Sequence, residues 1–192
     1  MKQEEISLNT KKALAESLKN AMRKKAFSKI TVKDITADCG LNRNTFYYHF
    51  EDIYALLRWM LDHEAIQVVQ KFDLLTEYDK AISFVLDYVE ENEPIMHCTL
   101  DSIGRKELRL LFFKEFSEIV STLLDEAQEQ HKVSLSPDYE AFLTSFYTEA
   151  MVGMLTQWIT KEWPTTKEKL STYLSDTVRY SLLGIFQKDQ LI

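Results

Sequence analysis

Glycine and proline are scarce in this 192-residue chain, at four and three residues. A β-rich fold needs frequent turns built from those residues, so the scarcity points to long helices. No run of about 18 apolar residues occurs, which argues against a membrane-spanning helix. The opening MKQEEISLNTKK lacks the apolar core of a secretory signal, and a cytoplasmic location is expected. The two cysteines, Cys39 and Cys98, form no metal-like pair and are expected as free, buried thiols. No glycine-rich phosphate loop, nucleophile–base pairing or metal-spaced cluster is present. Catalysis, a metal and a cofactor are therefore not expected, and the carboxylates lie scattered along helix faces.

What is present is unevenly placed. Residues 1–50 hold ten Lys/Arg and five Asp/Glu, a net +5, while the remaining 142 residues hold 13 and 25, a net −12. A basic head on an acidic body suits a chain whose head alone meets a polyanion. Helical periodicity runs throughout, and no strand alternation, repeat or low-complexity segment is found. Residues 10–26 place Ala13, Leu14, Leu18, Ala21 and Met22 on one face, with Asn9 or Thr10 as its cap. Thr31 can cap a second helix that Gly40 ends, and Asn42 a third that runs to about His49. Ile30, Val32, Ile35, Leu41, Phe46 and Phe50 form the expected small core. Asp52 can cap a long helix through about Phe72. Pro94, Gly104, Ser136–Pro137 and Pro164 punctuate the rest. The expectation is an all-α fold of about nine helices.

The stretch CGLNRNTFYYHF (39–50) joins a polar half to an aromatic half. Phe46 and Phe50 are four apart and can face inward, leaving Arg43, Asn44 and Tyr47 on the outer face. Arginine and asparagine can bond guanine and adenine bidentately, and Thr45, Tyr48 and His49 offer groups of the right reach for phosphates. Two short helices joined by a tight turn, after a longer helix, form a helix-turn-helix pattern.

The segment FSKITVKDITADCGLNRNTFYYHFEDIYALL resembles the N-terminal domain of the tetracycline-repressor (TetR) family of bacterial transcription regulators, most clearly at T-F-Y-Y-H-F (45–50). The resemblance covers about residues 9–57. It implies a three-helix DNA-binding domain over residues 1–50 and a helical effector-binding and dimerisation domain over 51–192. Arg43, Asn44 and Tyr47 match base-facing positions, Lys33 a base- or backbone-contacting one, and Thr31, Thr45, Tyr48 and His49 phosphate-contacting ones. Asn42 joins this DNA-binding set as the helix cap. One position departs: Ile53 stands where the family usually has lysine, and the Lys11–Lys12 pair offers a partial substitute.

The resemblance further implies a homodimer on a near-palindromic double-stranded operator, its reading helices about 34 Å apart. The last two long helices, about 136–161 and 166–187, would pair with their copies, and Gly153, Trp158, Val178 and Leu182 are the expected contacts. Gly184 also sits in mid-helix there. The body is expected to hold an effector pocket drawn from Trp59, Met60, His63, Phe84, Tyr88, His97, Phe113, Phe116, Tyr147 and Met151. The expected function is a DNA-binding regulator, a repressor released by an effector. The alternative is a regulator whose body senses a partner protein, acting as an activator.

Overall fold

A computed structural model describes residues 2–186. Helices account for all regular structure among them. The helices are α1 (Lys2–Met22), α2 (Val32–Asp38), α3 (Arg43–His49), α4 (Ile53–Leu61), α5 (Gln67–Val69), α6 (Tyr78–Glu91), α7 (Glu93–His131), α8 (Pro137–Ile159) and α9 (Lys167–Phe186). A 3-10 turn at Phe27–Lys29 precedes α2, and a π-helical turn at Asp62–Ile66 follows α4. The chain divides into two compact units, residues 1–66 with 92–108, and residues 67–91 with 109–192.

In the first unit, local chemistry sets each boundary of the short helices. Thr31 and Asp34 form a reciprocal capping box at the start of α2: the Asp34 N–H donates to the Thr31 hydroxyl (3.2 Å), and the Thr31 N–H donates to the Asp34 carboxylate (2.8 Å). Gly40, at φ +68°, supplies the left-handed residue that stops α2, and the Leu41 N–H closes the turn on the Thr36 carbonyl (2.9 Å). Asp52 caps α4 through the Ala55 N–H (2.7 Å). The core beneath is made by Leu14 and Leu18 of α1, Ile35 of α2, Phe46 of α3, and Leu56, Leu57 and Met60 of α4, all almost fully buried. Of the expected core residues, Ile30 and Phe50 are also buried, while Val32 and Leu41 are half-covered. Cys39 and Cys98 are both free, and half-buried where full burial is expected from the sequence.

Two expectations are corrected. α1 starts at Lys2, eight residues before the expected start at Thr10, because residues 2–9 continue the helix with Glu4 and Glu5 in its first turn, where negative charge suits the dipole. The helix expected to run from Asp52 to Phe72 is broken into α4, the π turn and α5. A π turn shifts the helical register, and no sequence periodicity announces it.

The second unit contains α6, the later part of α7, α8 and α9. Val120, Leu124 and Ala127 of α7, Leu143 and Tyr147 of α8, and Phe186 of α9 form a buried cluster. The Tyr147 hydroxyl donates to Ser181 (2.8 Å), and burial raises its pKa. The Lys167 ammonium meets Asp87 and Glu90, joining α9 to α6, and Arg109 pairs with Glu149. α7 is interrupted at Gly104, whose φ of 79° and ψ of 161° are not helical. The sequence placed a helix break at this glycine, and the backbone has one there.

Candidate nucleic-acid interface

The helix α3 is seven residues long, so it cannot hold itself in shape in isolation. Its start is fixed by Asn42, whose Oδ1 accepts from the Thr45 N–H (2.8 Å) and the Thr45 hydroxyl (3.1 Å). Its inner face is fixed by Phe46, which is 0% exposed, and by Phe50, with ring centroids 6.0 Å apart. With two phenylalanines anchored, the rest of the helix is left outside. Asn42, Arg43 and Asn44 are exposed, Tyr47 is 58% exposed and Tyr48 80%. Thr45 and His49 are half-exposed. Thr31 and Lys33, at the start of α2, are exposed as well.

The outer face of α3 therefore brings an arginine, an asparagine and a tyrosine into solvent from one rigid support. Those are groups suited to base edges in a major groove. Hydroxyls and an imidazole flank them. His49 is pushed below its ordinary pKa by burial first and by the Lys11 charge second, so near neutrality its ring has one N–H donor and one acceptor nitrogen. Asp34 is held well below the usual carboxylate range by Lys25 (2.8 Å), then by the Thr31 hydroxyl and N–H.

Residues 16–60 match the family described as bacterial regulatory proteins, tetR family. Residues 76–180, more than half of the chain, match the family TetR_C_8, described as a transcriptional regulator C-terminal region. The chain belongs to the TetR family. It is a DNA-binding transcriptional regulator with a helix-turn-helix head. A curated relative, the HTH-type dhaKLM operon transcriptional activator DhaS of Lactococcus lactis subsp. lactis (strain IL1403), is 26% identical over 87 residues. That match spans 45% of this chain and 46% of DhaS, under half of either. A solved structure described as the dihydroxyacetone kinase operon activator DhaS superposes with a TM-score of 0.74 at 18% identity, over 90% of this chain and 96% of the other. A TetR transcriptional regulator from Streptococcus agalactiae 2603V gives 0.59 at 24% identity, over 93% and 98%. At these identities the two structures speak for the fold.

The ten residues expected to form an effector pocket of this TetR-family chain are dispersed. Trp59, Met60, His63 and His97 belong to the first unit. Met60 is buried in its core, Trp59 stacks on His63 with centroids 4.7 Å apart, and His97 lies 3.7 Å from Glu93. In the second unit, Phe84 packs against Phe72 (6.2 Å), Tyr88 is half-buried, Tyr147 belongs to the core cluster and Phe113 borders an open groove between α7 and α8. Phe116 and Met151 line a cavity of about 90 Å³, together with residues such as Val69, Leu74, Ile82, Val85, Leu123, Met154 and Leu174. Tyr78 contributes the one side-chain hydroxyl among the lining residues. Sequence reasoning passed over most of this lining, because an amphipathic stripe does not show which apolar residues face a void and which face one another. Of the four expected dimer contacts, Gly153 and Trp158 are half-exposed on α8, Leu182 packs beside the core cluster and Val178 is buried against the cavity.

Proposed function

We propose that this TetR-family regulator binds a near-palindromic operator as a homodimer, each subunit laying α3 in the major groove. The observation that carries the reading is the clamped geometry of α3, with Phe46 fully buried and Arg43, Asn44 and Tyr47 exposed beside it. Arg43, Asn44 and Tyr47 read bases, with Lys33 on a base or the backbone, and Thr31, Thr45, Tyr48 and His49 hold phosphates. Dimerisation is supported by apolar surface on the last two long helices. Phe142 and Phe146 on α8 are 58% and 56% exposed and stack at 6.0 Å, and Tyr173 and Tyr180 on α9 are exposed too. A second copy would remove that surface from water.

The effector reading rests on the apolar cavity of the second unit. A dry cavity of about 150 Å³ takes a molecule the size of benzene, and this one is smaller, at about 90 Å³. Its occupant is a small uncharged apolar group, admitted more fully if Met151 and Met154 change rotamer. Binding there would shift the population toward a state with mismatched reading heads. The sign of regulation has two readings. Repression with release by the effector is one; the name of DhaS, an activator, favours activation as the other.

The deciding experiment measures binding to duplexes that span the region upstream of the chain's own gene. Arg43→Ala should lose sequence preference, at a cost of about 1–3 kcal/mol, while its melting temperature stays unchanged. Equal affinity of the two proteins for every duplex would refute base reading by α3.

A further inference from the structure

Lys11 projects from α1 to the aromatic pair at the end of the reading motif. Its Nζ lies 5.9 Å from the Phe50 ring centroid and 5.7 Å from that of Trp59. Both distances fall within the range in which a ring face attracts a cation. Phe50 and Trp59 contact each other at 5.8 Å, and Trp59 is backed by the parallel His63 ring. The lysine is half-buried and thus restrained by these rings. Of the other cations of the head, Lys19 meets Glu16 and Glu64, Arg23 meets Glu16, and Lys25 meets Asp34. Among the described residues, Lys11 meets no carboxylate. The groove that it borders is also lined by Tyr48, the most exposed aromatic residue of α3. Lys11 is close enough to His49 for its charge to bear on that ring.

We propose that Lys11 is a phosphate-contacting residue of the DNA interface, and that Trp59, with Phe50, is the positioning residue that aims it. The proposal rests on the DNA-binding reading of α3 and adds a residue from outside the helix-turn-helix. Three observations converge on it: a two-ring seat that limits where the ammonium can go, a groove that it shares with Tyr48 as well as Glu4, and the proximity of His49. Trp59 and His63 then serve the head of the molecule.

The test follows salt dependence, because a lost phosphate contact lowers the slope of log K against log salt by about 0.9. Binding of the full chain to a mixed-sequence 30-base-pair duplex, and to a duplex from its own upstream region, is measured by fluorescence anisotropy at several salt concentrations. Lys11→Ala should lower the slope by about 0.9 per bound subunit and weaken binding about eightfold per subunit at 0.1 M salt, alike on both duplexes. Lys11→Arg should restore the slope. Trp59→Leu keeps the charge and frees it, so affinity should fall several-fold while the slope stays near that of the wild type. Melting curves recorded alongside identify any variant that has unfolded, and Lys11→Gln repeats the measurement with a different side chain. A slope unchanged in both Lys11→Ala and Lys11→Gln overturns the proposal and leaves α3 reading intact. Absence of salt-dependent DNA binding by the wild type would overturn both.

Discussion

The Oδ1 atom of Asn42 accepts two hydrogen bonds from Thr45, from its backbone N–H at 2.8 Å and its hydroxyl at 3.1 Å. One side-chain atom thereby satisfies a free donor at the start of α3 and also orients a hydroxyl expected at the DNA backbone. Asn42→Ala should cost about 1 kcal/mol of stability. It should weaken DNA binding further, because Thr45 loses its orientation. Chemical denaturation and duplex titration of the same sample check this, and full affinity in the variant would show that the cap serves folding alone.

Phe46 and Tyr48 are two residues apart and opposite in exposure. Phe46 is 0% exposed and Tyr48 80%. Phe46→Ala should cost about 3–5 kcal/mol through lost burial and a cavity, unfolding the head. Tyr48→Ala should leave the unfolding midpoint within about 0.5 kcal/mol of the wild type, yet reduce DNA affinity. Equal stability losses in the two variants would contradict the division between clamp and contact face.

The ion pair of Asp34 and Lys25 gives a pH dependence with a definite sign. The folded pKa of Asp34 lies below its ordinary 3.8, owing first to Lys25 and then to Thr31. The unfolded chain therefore takes up the proton first as pH falls. The stabilisation is complete above about pH 5 and is lost progressively below it. Asp34→Asn should be less stable than the wild type at pH 7, and the gap should close on acidification. Urea midpoints measured from neutral to strongly acid pH check this; parallel curves would refute it.

Gly104 interrupts α7 with φ 79° and ψ 161°, a region open almost only to glycine, and an added Cβ would meet nothing within 4 Å. The cost of Gly104→Ala is therefore backbone strain, about 1–3 kcal/mol. Gly153 also has open space around it but sits in regular helix, where alanine should gain up to about 1 kcal/mol within one subunit. Thermal melts of the two variants should move in opposite directions. A lower midpoint for Gly153→Ala that recovers with protein concentration would instead mark a close approach between subunits.

The sequence by itself determined what short-range chemistry decides. Thr31, Asn42 and Ser136 cap the helices that follow them, Gly40 stops α2 and Gly104 breaks α7, because each acts on backbone groups within a few residues. The spacing of Phe46 and Phe50 likewise set which face of α3 turns outward, so the candidate reading residues were legible. Only the tertiary structure decided the rest. The π turn after α4 breaks a helix that local periodicity runs through unbroken. The seat of Lys11 on rings 39 and 48 positions away exists only once α1 lies against α4. The lining of the cavity, too, comes from five helices and the segment after α5, each bringing apolar residues that look alike in sequence. Hydrophobic attraction has no direction, so a pattern of apolar residues states that they will be buried, and only the assembled helices state against what.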